Sequence, residues 1–215
     1  MSKYILILTA FMALGLITFT STAAEPVTAP LASSRVYIFK DSEVINVNKG
    51  VWANIMPSLA AEKDYIRFKT FIKPGIENIG TCVQVTFDNL DKAPHWGGLV
   101  VPVKQDYWGK EPDLKAGLDL SKSKRLVFWL KGENGNEQVQ IKAAITNSQE
   151  YGDSAEIPLA TDWLTLTKEW TKYEIEIKDG EQLKRVITPF VIIANEAHND
   201  SGKVVIYVDE IYYEF

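Results

Sequence analysis

Three large aromatic side chains lie close to glycines in the stretch HWGGLVVPVKQDYWGKEPDL, residues 95–114. Trp96 precedes two glycines, and Tyr107 and Trp108 precede a third. The stretch is too rich in Gly and Pro to form one regular element, and side chains that flank turn residues tend to face water or a ligand. We therefore predict that these three rings share a loop and are available to a ligand.

The sequence contains no recognisable catalytic motif. It has no Gly-rich phosphate loop, no G-x-S-x-G turn and no Cys/His spacing typical of zinc. Cys82 is the only cysteine, and neither histidine lies in a motif that would make it a partner for a catalytic thiol. Acidic loop residues could flank a glycosidic bond, but they form no tight strand pattern. We predict no catalytic residues.

The N-terminus has the pattern of a secretory signal peptide. Lys3 precedes an apolar run at residues 4–19, and small residues follow as far as Ala24. We predict a signal peptide at residues 1–24, a flexible mature N-terminus at residues 25–34 and one domain over residues 35–215. The mature protein would then be secreted or periplasmic and would not insert into a membrane.

Net charge argues against polyanionic partners. The full chain carries a net charge of −5, so removing Lys3 with the signal peptide leaves −6. No basic cluster offsets this charge, which discourages binding to nucleic acid or anionic lipid. We expect a monomer without an internal disulfide.

Most of the chain alternates apolar and polar residues in short runs between turn residues. This period of two is typical of half-buried strands, and helical periodicity is almost absent. Many short strands in one domain predict an all-β sandwich or barrel. The clearest runs are RVYIF, DYIRFKTFI, CVQVTFDN, RLVFWLKG, QVQIKAAI, KYEIEIKD, FVIIAN and KVVIYVDEIYYEF.

The same alternation indicates which side chains face outward. In QVQIKAAI, Gln140 and Lys142 lie on the face opposite Val139, Ile141, Ala143 and Ile145, so the strand is buried on one side only. In RLVFWLKG, Leu126, Phe128 and Leu130 oppose Trp129. If the aliphatic set faces the core, Trp129 lies on the outer surface of its sheet.

Several segments resemble carbohydrate-binding modules with a β-jelly-roll fold. KVVIYVDEIYYEF resembles their closing strand, and LDLSKSKRLVFWLKGENGNEQVQIKAAI resembles their central hairpin. LTLTKEWTKYEIEIKDGEQLKRVITPFVIIAN resembles the block that follows, and these segments cover most of residues 85–215 in the same order. The likeness is to the galactose-binding-like superfamily, particularly to family-11-like modules. It implies an antiparallel β-sandwich of jelly-roll type.

The resemblance implies non-catalytic binding of a polysaccharide or an oligosaccharide. In such modules aromatic rings stack on sugars, while amides, carboxylates and basic side chains bond to the hydroxyl groups. The predicted ligand-binding residues are Trp96, Tyr107, Trp108, Trp129, Gln140, Lys142, Tyr151, Asp153 and Trp163. They leave open whether the ligand binds at the loop rim or on a sheet face. A glycoside hydrolase or polysaccharide lyase on the same scaffold, or an envelope interaction protein, stays as an alternative.

The resemblance also carries two structural expectations. Asp209 matches a position that often binds a structural calcium between the last strand and the N-terminal strand, with Asp41 or Glu43 as its partner. Trp170 matches a tryptophan that opens a strand and packs in the hydrophobic core.

Overall fold

The alternation of apolar and polar side chains along the strands predicts two packed sheets, because a strand in such a protein buries only one of its two faces. The computed structural model describes residues 34–41, 43–44, 54–56, 65–104, 106–113 and 116–215. The predicted signal peptide and all but the last residue of the predicted flexible segment, residues 25–34, lie outside the described residues. Within the described ranges, no helix is long and apolar enough to cross a membrane.

The strands form two sheets. The first sheet has seven strands, β1 (Arg35–Lys40), β2 (Glu43–Val44), β4 (Ile66–Ile72), β5 (Cys82–Phe87), β7 (Arg125–Gly132), β11 (Thr171–Glu176) and β13 (Val204–Glu214). The second has six, β3 (Asn54–Met56), β6 (Trp96–Val101), β8 (Gln138–Ala143), β9 (Leu159–Ala160), β10 (Leu164–Thr165) and β12 (Phe190–Asn195). The helical elements of the described residues are three short 3-10 turns, Ile76–Asn78, Gly180–Leu183 and Glu196–His198.

All neighbouring strands pair antiparallel. The first sheet runs β11-β7-β13-β1-β2, with β5 beside β13 and β4 beside β5. The second runs β10-β8-β12-β6-β3, with β9 also beside β8. Their inner faces share one hydrophobic core. The protein is therefore an antiparallel β-sandwich of jelly-roll type, which confirms the predicted fold class.

Core packing follows the alternation seen in the sequence. Phe128 of β7 is fully buried, and its ring stacks on Tyr173 of β11 with 6.0 Å between centroids. It also meets Phe190 of β12 edge-on at 5.5 Å, so this ring joins the two sheets. The neighbouring side chain, Trp129, is only partly buried and lies on the outer face of the first sheet, as the alternation predicts.

Two expectations about tryptophans are wrong. Trp96 opens strand β6, although the Gly-rich stretch around it suggested a loop. Trp170 directly precedes β11 and lies outside the core cluster between the sheets. Thr171 pairs with Leu130, so the alternation turns Trp170 outward, where the Lys131 ammonium lies 5.1 Å from its ring centroid. The register of strand pairing, which local sequence does not reveal, decides both positions.

Adjacent residues on β7 test the assignment of inner and outer faces. We expect Phe128→Ala to lower the free energy of unfolding by about 3 to 5 kcal/mol, because it opens a cavity between the sheets. Trp129→Ala should cost only about 1 kcal/mol, because this ring already contacts solvent. Equilibrium unfolding in urea measures both, and an equal loss for the two variants would contradict the assignment.

Candidate ligand-binding site

The outer face of the second sheet carries a depression of about 500 Å³. Strand register brings its residues together, since Asn195 of β12 pairs with Trp96 of β6 and Ile193 of β12 pairs with both Gly98 and Gln140. Residues two apart on a strand share a face, so Lys142 lies on the same surface as Gln140. The depression is lined by His95, Trp96, Gln140, Lys142, Ile193, Asn195, Glu196 and Ala197.

The two glycines after Trp96 lie on opposite faces of β6. Gly97 points into the sandwich, where an added Cβ would lie 2.9 Å from the Ile66 side chain and 3.2 Å from the Phe87 ring. A side chain there would push the sheets apart. Gly98 lies on the same face as Trp96 and pairs with Ile193 of β12, which lines the depression. Gly97 therefore keeps the two sheets close beneath Trp96.

Polar groups surround the indole at fixed positions. The Gln140 amide nitrogen donates a hydrogen bond of 2.9 Å to the Thr161 carbonyl, which fixes this side chain. Lys142 forms no ion pair within the described part of the chain. At the Trp96 end, His95 Nδ1 lies 2.6 Å from Glu196 Oε2. The arrangement offers an aromatic surface with an amide and an ammonium beside it.

Trp163 extends the same face beyond the depression. Its ring stacks on the His198 imidazole with 3.9 Å between centroids and 14° between the planes. His198 Nδ1 in turn lies 2.8 Å from Asn195 Oδ1. Asn195 therefore links the Trp163–His198 stack to the strand pair that carries Trp96.

Three other predicted rings lie in two loops at the opposite end of the second sheet. Tyr107 and Trp108 follow β6, and Tyr151 follows β8. The two loops meet where the Tyr151 amide donates a hydrogen bond of 3.0 Å to the Gly109 carbonyl. Tyr107 is buried, and its hydroxyl donates to the Glu111 carbonyl at 2.9 Å. Trp96 begins β6 and this end of the sheet lies past Val101, so the length of the strand, about 16 Å, separates them. The expectation that Trp96 and Trp108 share one loop is wrong.

Asp153 is a buried anchor of these loops. Its carboxylate accepts hydrogen bonds from the Thr146 amide at 2.8 Å and from the Ile187 and Thr188 amides at 2.6 and 3.1 Å. The hydroxyl groups of Thr146 and Thr188 each donate to it at 2.5 Å. These bonds tie the loop after β8 to the segment that enters β12. They give Asp153 a structural role, and its contact with a ligand stays a prediction.

Of the residues predicted to bind calcium, the structure brings Asp41 and Asp209 into contact. Asp209 is 2 % exposed, and its Oδ1 accepts the backbone amides of Asp41 at 3.2 Å and Glu210 at 2.8 Å. Burial raises the pKa of Asp209 to about 6. Glu43 belongs to β2, but its side chain lies outside the described residues. Within the described ranges, no three His, Cys, Asp or Glu side chains are grouped as a metal site.

Trp129 lies apart from the other predicted ligand-binding residues. It is on the outer face of the first sheet, in a depression of about 510 Å³ that it shares with Tyr212 and Lys172. The nine predicted ligand-binding residues therefore fall into three regions. Trp96, Gln140, Lys142 and Trp163 share the outer face of the second sheet, Tyr107, Trp108, Tyr151 and Asp153 belong to the end loops, and Trp129 lies on the opposite sheet.

Solved structures with this architecture are carbohydrate-binding modules. A family 30 module matches with 21 % identity and a TM-score of 0.50, over 84 % of this chain and 98 % of that chain. A second family 30 structure matches with 18 % identity and a TM-score of 0.50, over 84 % and 87 %. A family 29 module reaches a TM-score of 0.48 at 9 % identity, over 85 % and 91 %.

The chain has the fold of these modules. At such identities the likeness shows the fold alone. No protein-family model matches the chain, and no curated protein sequence matches it.

The sequence predictions include three of the eight residues that line the depression and miss the other five. Ile193 and Asn195 are on β12, Glu196 begins the following 3-10 turn and His95 precedes β6. The alternation in FVIIAN carried a usable signal, because Ile193 and Asn195 fall on one face. Their closeness to Trp96 depends on the pairing of β12 with β6, which local sequence does not encode.

Asp153→Ala tests whether this carboxylate holds the end loops. Each buried donor left without an acceptor costs about 1 to 3 kcal/mol, so the variant should lose at least about 3 kcal/mol of unfolding free energy. Asp153→Asn keeps one acceptor oxygen and should lose less. Urea unfolding provides the measurement. An Asp153→Ala variant as stable as the parent would remove the structural role.

Proposed function

We propose that this protein is a non-catalytic carbohydrate-binding protein and that its ligand binds in the depression beside Trp96. One observation carries the proposal: strand pairing brings Trp96, Gln140 and Lys142 together on the open face of a sandwich with the fold of carbohydrate-binding modules. The resemblance of the sequence to such modules supports the same function independently of the depression.

Stacking on Trp96 supplies the binding energy in this proposal. The CH groups of a sugar ring form an apolar face that packs on an indole. Gln140, Asn195 and Lys142 then bond to hydroxyl groups around the sugar. Ile193 adds apolar surface between them.

The breadth of the face favours an oligosaccharide or a polysaccharide over a single sugar. Strands β6 and β10 are three strand intervals apart, or about 14 Å. Trp96 is on β6, and Trp163 directly precedes β10. Two indoles separated in this way can each support a different sugar of one chain.

The acidic groups of the depression argue against hydrolysis. Glycoside hydrolases generally need two carboxyl groups that flank the scissile bond at about 5 to 10 Å. Among the described residues that line the depression, Glu196 is the carboxylate, and it is paired with His95. This supports a binding role without bond cleavage.

Several finer assignments belong to the same proposal. We place the chain among family-11-like modules of the galactose-binding-like superfamily, on the sequence segments that resemble them. We propose that it acts as a secreted or periplasmic monomer after removal of residues 1–24, because the N-terminal pattern is that of a signal peptide. Ligand contacts by the end-loop residues Tyr107, Trp108, Tyr151 and Asp153 stay predictions.

Trp96→Ala tests the binding site. Losing one stacked ring should cost about 1 to 2 kcal/mol, or about tenfold in affinity, because a sugar covers only part of the indole. Retention on immobilised glycans that a glycan array identifies provides the measurement. Trp108→Ala, measured in parallel, separates the sheet face from the end loops.

Trp170→Ala is the matched control, since it removes an indole that lies outside the depression. We expect the control to bind like the parent. Normal binding by Trp96→Ala together with loss by Trp108→Ala would move the site to the end loops. Release of reducing ends from any bound glycan would contradict the non-catalytic proposal.

A structural calcium near Asp209 is a separate proposal. It is supported by the resemblance of the sequence and by the Asp41 amide, which donates to the Asp209 carboxylate and so brings the two residues together. Carboxylate oxygens are ligands that suit calcium. Since a metal that binds only the folded state raises stability, excess calcium should raise the melting temperature above its value in chelator. Asp209→Asn should abolish the difference, and identical melting curves of the parent would exclude the site.

A further inference from the structure

The outer face of the first sheet carries a depression about as large as the one beside Trp96, 510 Å³ against 500 Å³. Trp129 of β7 pairs with Lys172 of β11 on one side and with Asp209 of β13 on the other. The three residues form one row across the sheet. An indole, an ammonium and a carboxylate therefore lie side by side.

The Trp129 indole is not needed for the sandwich core. Its neighbours Phe128 and Leu130 are fully buried and face the other sheet, whereas Trp129 is partly exposed on the outside. Large aromatic side chains on an outer sheet face commonly mark contact with another molecule when they lie in a concave, partly apolar site. Trp129 meets this description.

Apolar groups form the walls around Trp129. Ile79, in the turn after β4, lines the depression and is 71 % exposed. Tyr212 lines the other side, with the Arg35 guanidinium 4.4 Å from its ring centroid and the Tyr37 ring 5.2 Å away. Ile79 therefore offers exposed aliphatic surface on one side of the indole, while Tyr212, 4 % exposed, closes the other side.

Charged groups of both signs supply hydrogen-bond donors and acceptors. Lys172 is exposed and forms no ion pair within the described ranges. Glu210 lies 3.5 Å from Lys40 across the depression. Asp209 lies beneath them, with its carboxylate held by backbone amides. A hydroxyl-rich ligand can both donate to and accept from this set.

We propose that the depression around Trp129 is a second glycan-binding site, on the opposite face of the sandwich from the Trp96 site. A sugar stacks on the Trp129 indole, while Lys172 and Glu210 bond to its hydroxyl groups. The assignment of the ligand class rests on the proposed function. With one site on each outer face, the protein can hold two polysaccharide chains at once and link them.

Titration calorimetry of the full protein with cellohexaose, mannohexaose, xylohexaose and hexagalacturonate tests this proposal. The parent should bind two molecules of at least one hexasaccharide. Trp96→Ala and Trp129→Ala should each weaken one site at least tenfold and leave the other unchanged, and the double variant should lose both. Trp129→Tyr keeps a ring and should retain most of the affinity.

Melting temperature and a control variant guard against misfolding. Trp170→Ala removes another outward indole of the first sheet and should keep both sites. If Trp96→Ala abolishes all binding and Trp129→Ala binds like the parent, the second site is excluded while the proposed function stands. If only Trp129→Ala loses binding, the Trp129 site stands and the Trp96 site falls. No binding of any hexasaccharide by the parent overturns both.

Light scattering with soluble glucomannan tests the link between two chains. The parent should enlarge the polymer particles as protein is added, because each molecule joins two chains. Trp129→Ala should still bind glucomannan without enlarging the particles. The same particle size with the parent and with Trp129→Ala would contradict binding on both faces.

Discussion

The closing strand β13 is the constraint on which the rest of the sandwich depends. It pairs with β7 along one edge, and along the other edge with β5 at Val204–Val208 and with β1 at Ile211–Glu214. The hydroxyl of its buried Tyr213 donates a hydrogen bond of 2.9 Å to the carbonyl of Pro189, just before β12. The last strand of the chain thus organises the first sheet and fixes the position of the second, which carries the Trp96 depression.

Asp209 lies where β13 changes partners. The pairing of β13 with β5 ends at Val208, and its pairing with β1 begins at Ile211. The residues between them bulge, with Glu210 at a φ of 49°. Backbone amides at such a bulge lose their partners in the ladder. The Asp209 carboxylate accepts the Glu210 amide there, and also the Asp41 amide just after β1. The Asp209 carboxylate therefore stabilises the backbone at this position even without a bound cation.

The sequence predicted the layers better than the site, because the two depend on different interactions. Alternation in QVQIKAAI and RLVFWLKG placed Gln140, Lys142 and Trp129 on outer faces, as the structure has them. The predictions for Trp96 and Trp170 were wrong, because both positions depend on which strand lies alongside and in what register. Pairing of β6 with β12 joins residues about 100 positions apart in the chain, beyond the reach of any local pattern.

Aromatic residues in this protein divide according to what holds them. Tyr107 and Tyr213 are buried, and their hydroxyl groups donate to main-chain carbonyls, so these rings fix loops and sheets. Trp96 and Trp129 are partly exposed, and each lines a depression on an outer sheet face. A rigid sheet holds an exposed ring in place more firmly than a loop does, which lowers the entropic cost of ligand binding. The two outer sheet faces therefore hold Trp96 and Trp129 in fixed positions, whereas Tyr107 and Asp153 of the end loops are buried and hold the loops in place.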